Sequence, residues 1–196
     1  NEPSLQYVLD TYLGTGVIDV GDDNDATNVL HSSIKDGSLL GDEVDVETFK
    51  KAGEGNVELT LIGVFGPTSV NPIVKAGWYT AGDASSIIEL FDVDNTPTSN
   101  GQSLVPPVNG VLSFNPGDDT QFGFYSEWPF FNNRQLFSQD ALNTTTPDPS
   151  ATGQHVRVYE LPGEENAYVI ATEEHISGFD YQDIVFIARN VEPGFV

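Results

Sequence analysis

The sequence predicts an all-β protein: a jelly-roll-like antiparallel β-sandwich with one short N-terminal helix, in a single domain covering residues 1–196. The first observation is a series of eight short apolar runs, several of which alternate apolar and polar residues as half-buried strands do. The second is the presence of 19 glycines and 12 prolines, which place turn signals between these runs. The runs cover residues 57–65, 73–79, 86–91, 110–114, 121–125, 155–160, 168–171 and 184–188.

The third observation is that helical spacing is scarce. It is clear only near the N-terminus, where apolar residues stand at Leu5, Val8, Leu9, Tyr12 and Leu13. Ser4 is placed to cap this helix and Gly14 to end it. We therefore expect one short helix that packs through Leu5, Val8, Leu9 and Tyr12. Residues 44–51 fit either a helical turn or an edge strand.

The charge balance excludes several kinds of partner. Asp and Glu number 30 against 7 Lys and Arg, which gives a net charge of −23. Nucleic acid needs a basic surface, and an anionic membrane would repel this chain. The sequence also contains no apolar run of the ~18 residues that a membrane-spanning helix needs. Two interpretations of the acidity remain: general screening by a cation-rich environment, or specific sites for Ca²⁺.

Two residue types are missing from the chain. The absence of Met, even at position 1, suggests a processed N-terminus and hence export. The absence of Cys excludes disulfides and thiolate metal sites. We therefore expect an extracellular or cell-surface protein whose metal ligands, if it has any, are oxygen atoms.

Four carboxylates lie between two strand-like runs near the C-terminus, in the stretch ATEEHISGFDYQDIVFIA. They are Glu173, Glu174, Asp180 and Asp183. Carboxylates held this close repel one another and resist desolvation, so a cation, water or separation by the loop must compensate. The alternatives are a Ca²⁺ site and a solvated turn.

Two further acidic stretches have alternating oxygen ligands, as calcium loops do. Asp22 and Asn24 lie in DVGDDNDATN, and Asp92 and Asp94 lie in FDVDNTPTSNG. Neither stretch continues as an EF-hand, because the expected Gly and the final Glu are missing. We treat both pairs as secondary candidates for Ca²⁺, against the alternative of solvated turns.

The stretch YVIATEEHISGFDYQDIVFIARNV resembles the closing hairpin of the DUF4114 family of exported bacterial β-domains. In that pattern an acidic pair ends one apolar strand, and a second acidic group precedes the final strand. FGFYSEWPFFNNRQLFSQDALN, SLQYVLD and IIELFD are similar to other segments of the family. This sequence departs from the pattern at Glu174, where Asp is usual, and at Gln182, where Asn is expected.

The resemblance implies a calcium-associated β-sandwich of surface, adhesion or matrix proteins, with no enzymatic activity. It implies Ca²⁺ as the cofactor, held by Glu173, Glu174, Asp180 and Asp183. The expected function is a structural or adhesive one, which includes self-association into filaments through strand edges or extended termini. No nucleophile elbow, zinc-protease motif or phosphate-binding glycine loop occurs in the sequence.

An aromatic stretch, FGFYSEWPFF, supports an alternative function. Its rings either form core and a hydrophobic corner, or present Tyr125, Trp128 and Phe131 as a platform on which sugars stack. The second interpretation predicts a non-catalytic carbohydrate-binding module. Further along, Asn143 begins an N-glycosylation acceptor pattern on a predicted loop.

Overall fold

A computed structural model describes residues 3–21, 39–66, 68, 70–96, 103–143, 153–174 and 181–194. Within these residues the chain forms one α-helix, α1, and strands β1 to β14, with two 3₁₀ turns at Pro129–Phe131 and Asp140–Leu142. The bounds are α1 Leu5–Leu13, β1 Glu43–Val44, β2 Phe49–Lys51, β3 Val57–Val64, β4 Ile73–Thr80, β5 Ile88–Asp94, β6 Ser103–Leu104, β7 Asn109–Gly110, β8 Ser113–Phe114, β9 Phe122–Trp128, β10 Arg134–Phe137, β11 Val156–Glu160, β12 Ala167–Thr172, β13 Ile184–Arg189 and β14 Val191–Pro193.

The strands form two antiparallel sheets of seven strands each. The first sheet has the order β1-β11-β12-β13-β3-β6, and β8 also pairs with β3. The second has the order β14-β2-β9-β4-β5-β7, and β10 also pairs with β9. The predicted all-β sandwich with a short N-terminal helix is confirmed. Residues 43–51 form the short strands β1 and β2 with a link between them, so the helical turn considered for this segment is wrong.

Aromatic side chains fill the space between the two sheets. Phe122 and Phe124 of β9 point into this core, where the ring of Phe124 lies 5.1 Å from that of Phe186 in β13. Trp78 of β4 stacks on Phe114 of β8 at a centroid distance of 5.2 Å. These edge and stacked contacts each add stabilisation beyond the area that the rings bury, and they join the two sheets.

The outer face of the first sheet is covered by α1. Ser4 caps the helix by accepting a hydrogen bond from the Tyr7 backbone N–H at 3.1 Å, and Gly14 ends it at a φ of 110°. The predicted contacts of Leu5, Val8 and Leu9 are present, since all three are buried against this sheet. Tyr12, however, is 38% exposed at the rim of the helix. No helix in the described residues is long and apolar enough to cross a membrane.

The sheet edges are blunted by short strands. The first sheet ends in the two-residue strands β1 and β6, and the second in the two-residue β7 and in β14, which contains Pro193. Short strands and proline are common protections against pairing with another chain. The ends of both sheets are therefore protected by strand length and, in β14, by proline.

Strand β10 has a side-chain cap on its outer edge. The Asn143 amide accepts a hydrogen bond from the Phe137 N–H at 2.8 Å and donates one to the Phe137 carbonyl at 2.9 Å. It also donates to the Gly153 carbonyl at 2.6 Å. The Asn143 side chain thus makes the hydrogen bonds to β10 that the backbone of a neighbouring strand would make. Because its side chain is buried and bonded, it is not accessible as a glycosylation acceptor.

Replacing Asn143 by Ala should lower the free energy of unfolding by about 2 kcal/mol, because the Phe137 N–H and carbonyl lose buried partners. Denaturant unfolding followed by circular dichroism measures this. The matched control is Asn109→Ala, which removes an exposed amide bond to Asp92 and should change stability by less than about 0.5 kcal/mol. Equal effects of the two substitutions would contradict the role of Asn143.

Candidate metal centre

The predicted acidic hairpin is formed by β12 and β13. Thr172 and Ile184 are paired across the two strands, so Glu173 follows one strand directly opposite Asp183, which precedes the other. The Asp183 N–H donates to the Thr172 carbonyl at 3.1 Å, and the Glu174 N–H donates to Asp183 Oδ2 at 3.0 Å. The hairpin register therefore fixes the positions of these carboxylates.

Glu173, Glu174 and Asp183 each offer an oxygen atom, and these atoms lie within 4.8 Å of one another. Glu173 is 1% exposed and Asp183 2% exposed, while Glu174 is half-buried. Burial weakens the solvent screening that would reduce repulsion between like charges. The folded chain thus holds three mutually repelling carboxylates where water compensates them poorly.

Hydrogen-bond donors next to the cluster compensate part of this charge. The Tyr181 backbone N–H donates to Glu173 Oε2 at 3.3 Å. From the second sheet, the Arg134 guanidinium donates from Nη1 to the Glu174 carbonyl at 2.9 Å. Partial burial lowers the pKa of Arg134, and the Glu174 carboxylate opposes this effect. Arg134 brings one positive charge to a group of three acids.

A buried histidine lies behind the cluster. His155 is fully buried, and its Nδ1 lies 3.1 Å from the Glu173 carbonyl oxygen. Because a carbonyl can only accept, Nδ1 carries a proton in this contact. The His155 carbonyl in turn accepts from the Glu173 N–H at 2.8 Å. His155 therefore supports the backbone of the hairpin, a role that the spacing of histidines in the sequence does not reveal.

A buried ion pair lies beside Tyr181, the residue that donates to Glu173. Arg157 in β11 contacts Glu43 in β1 at 3.3 Å, and both side chains are almost fully buried. The Arg157 guanidinium lies 5.5 Å from the centre of the Tyr181 ring. The Tyr181 hydroxyl donates to the Gln154 carbonyl at 2.9 Å.

Tyr181 itself is fully buried, with a left-handed φ of 57°. Burial raises its pKa well above the usual range, and the carboxylate of Glu173 adds to this. Such a backbone conformation is strained for a large side chain and persists only where its surroundings hold it. Its surroundings here are the apolar cluster under α1, the Arg157 guanidinium and the Gln154 carbonyl.

A second acidic pair lies near this network. The Asp140 N–H donates to Glu47 Oε1 at 2.6 Å. Desolvation and the neighbouring carboxylates of Glu47, Asp45 and Glu43 together raise the pKa of Asp140 to about 7. Because the Asp140 residue is exposed, solvent screening keeps its effect on stability small.

The other predicted metal ligands are not brought into such a group. Asp180, Asp22 and Asn24 lie outside the described residues. Asp92 and Asp94 belong to β5, so their expected placement on a tight loop is wrong. Asp92 accepts from the Asn109 amide at 3.1 Å, and Asp94 accepts from the Thr96 N–H at 3.1 Å. Among the described residues, only the hairpin carboxylates form a group of three close acidic ligands.

Most of the predicted sugar-stacking platform is buried. Trp128 is 1% exposed in the core between the sheets, where its indole N–H donates to the Ser126 hydroxyl at 2.8 Å. Tyr125 is buried on the outer face of the second sheet beside Tyr79 and Phe137. A stacking platform needs an accessible ring face, so these two residues are corrected to core positions. Phe131 is half-buried and remains at the surface.

Comparison of the chain with protein-family models, curated proteins and solved structures gives no match. The resemblance of the hairpin to the DUF4114 family stays a prediction. The functional inference therefore depends on the site geometry.

Replacing Arg157 by Leu should lower the free energy of unfolding by about 3–5 kcal/mol, because Glu43 would keep a buried charge without its partner. Replacing Glu43 by Leu in the same chain should restore much of this loss. The control, Arg189→Gln, removes a more exposed pair with Glu164 and should have an effect of only about 0–1 kcal/mol. Denaturant unfolding of the three variants and the parent chain tests this, and equal losses for Arg157→Leu and Arg189→Gln would refute it.

Asp140→Asn should raise the melting temperature above about pH 7 and have little effect below about pH 4. The folded pKa of Asp140 is raised, so the stability that its proton contributes is present at low pH and is lost as the pH rises through about 7. Asn mimics the protonated form at every pH. Melting curves in chelator, across this pH range, measure the difference.

Asp83 provides a control of opposite sign. Hydrogen bonds from Ser85 lower its pKa, so its contribution to stability is present at neutral pH and is lost on acidification. Asp83→Asn should therefore lower the melting temperature at neutral pH only. If the difference in melting temperature between Asp140→Asn and the parent chain does not vary with pH, the raised pKa of Asp140 is contradicted.

Proposed function

We propose that the chain is a calcium-binding, non-catalytic β-sandwich with a structural or adhesive role at a bacterial cell surface or in an extracellular matrix. The observation that supports this most is the close approach of Glu173, Glu174 and Asp183, two of which are almost fully buried. A divalent cation would offset their mutual repulsion and the loss of hydration together.

The donor set favours Ca²⁺ among the biological cations. Ligand oxygens bind Ca²⁺ at about 2.4 Å, so two ligands of one ion lie at most about 4.8 Å apart. The hairpin oxygens meet this limit. Carboxylate oxygens suit Ca²⁺ better than softer transition metals, and Mg²⁺ demands a more regular octahedron. Asp180 remains the proposed fourth carboxylate ligand.

The proposed location follows from the energetics of such a site. A hairpin that needs Ca²⁺ to offset buried carboxylates is stable where the cation is abundant. Extracellular calcium modules work with dissociation constants of about 0.1–1 mM. The net charge of −23 fits the same setting, because abundant cations screen the repulsion between surface acids.

The proposed partners are other matrix components or further copies of the chain. The described sheet edges are short, so a filament built by adding strand to strand gains no support from them. Self-association would depend on Ca²⁺ reducing the repulsion between acidic surfaces. The alternative function, a carbohydrate-binding module, is not supported through Tyr125 or Trp128, because both are buried.

Calcium at 100 times its dissociation constant should add about 2.7 kcal/mol to the free energy of unfolding. We expect Asp183→Asn and Glu173→Gln to abolish most of this gain, because each removes one charged ligand. Melting temperature and calorimetric titration, with Mg²⁺ as the comparison cation, measure the effect. Light scattering during the same titration reports whether Ca²⁺ also drives self-association.

The matched control is Asp92→Asn, which removes one carboxylate from β5 and leaves the hairpin intact. It reduces the net negative charge by the same amount, so general screening would respond to it as to Asp183→Asn. A specific site predicts that Asp92→Asn keeps the calcium response. The same calcium response in all three variants would reject the hairpin site in favour of screening.

A further inference from the structure

The turn between β9 and β10 contains a surface cavity of about 330 Å³, at the lower end of the ~300–1,000 Å³ typical of ligand sites. Its lining is Phe131, Asn132, Asn133, Arg134 and Gln135, which includes no acid. By contrast, a larger cleft of about 710 Å³ at the β11–β12 turn is lined by Asp42, Glu160, Glu164 and Glu165 among others. In a chain of net charge −23, the lining of the smaller cavity carries one positive charge and no carboxylate.

Arg134 supplies the positive charge of this cavity. Its guanidinium lies 4.6 Å from the centre of the Phe131 ring and donates through Nη1 to the Glu174 carbonyl. It is the one basic residue in the described part of the chain that forms no ion pair with a described carboxylate. The Phe131 ring and the Glu174 carbonyl fix the orientation of the guanidinium plane. Its other N–H groups can donate to a carboxylate, whose two oxygens match the geometry of the guanidinium fork.

The surrounding groups fit a sugar ring. Asn132 and Asn133 are exposed, with left-handed φ values of 59° and 60°, and their amides can bond hydroxyl groups. Phe130 is 39% exposed and packs edge-on against Phe131 at 4.9 Å. The partly exposed Phe130 ring beside polar amides is suited to the mixed apolar and hydroxyl surface of a pyranose.

We propose that this cavity binds the carboxylate of a uronic acid residue in an acidic polysaccharide, with Arg134 as the carboxylate-binding residue. A neutral sugar offers no carboxylate to the guanidinium fork of Arg134. A nucleic acid needs several basic side chains along its backbone, and the lining offers one. The proposed ligand contacts Arg134 and none of the hairpin carboxylates, so uronate binding and calcium binding are measured by separate titrations.

The test uses galacturonic acid trimer as the probe, titrated into the intact chain by calorimetry or by NMR in calcium-containing buffer. The comparison probe is the same trimer with its carboxylates reduced to alcohols. We expect binding of the acidic trimer at least about tenfold tighter than of the reduced one, which is the lower end of the effect of a charged hydrogen bond. Chemical-shift changes should centre on residues 130–135.

Arg134→Gln should weaken binding of the acidic trimer by a similar factor, while Arg134→Lys, which keeps the charge without the planar fork, should bind with intermediate affinity. Lys50→Gln removes one exposed cation that pairs with Glu192 and should bind as the parent does. A melting curve for each variant verifies folding. Equal affinity for the acidic and reduced trimers, or equal losses in Arg134→Gln and Lys50→Gln, would overturn the proposal. So would equally tight binding of an acidic peptide.

Discussion

The central strands of the first sheet are covered on both faces, by the second sheet on one side and by α1 with the segment after it on the other. In β13, Ile184 and Phe186 face the aromatic core, while Val185 and Ile187 face the helix. Strands buried on both faces become nearly continuous apolar runs. They leave no solvated face on which a polar side chain can point to water, so each polar group on these strands needs a protein partner or a place at a strand end.

The polar groups of this sheet follow that constraint. Arg157 lies in a buried strand, and its charge is balanced by Glu43 and by the backbone carbonyls of Val20 and Leu40. A single side chain therefore connects β11, β1 and the segment that follows α1. A buried ion pair is weak evidence of net stability, but removing one of its partners is strongly destabilising. This pair therefore specifies how the N-terminal segment is placed on the sheet.

The hairpin carboxylates lie where the same strands end, and their proximity could be predicted because they are local in sequence. Glu173 and Asp183 flank two consecutive strands, and antiparallel pairing brings such ends together. Glu43 and Arg157 are 114 residues apart, and no sequence pattern predicts that these two side chains meet. The two-residue strands β1, β6, β7 and β8 are too short to show alternation. The sequence around Trp128 is equally rich in aromatic residues whether the ring lies in a core or on a sugar-binding surface. Only the packing of the two sheets distinguishes these possibilities.

The distribution of basic residues determines how the remaining acidity must be balanced. Lys51 and Arg157 are buried, and Arg134 lies between the second sheet and the acidic hairpin. Lys75 contacts Glu89 and Glu127 together, at 3.6 and 3.5 Å. With 7 bases against 30 acids, side-chain ion pairs cannot neutralise most of the acids. The balance must come from ions in solution, and their effect should be largest where carboxylates are both close and dehydrated, because screening by water is weakest there.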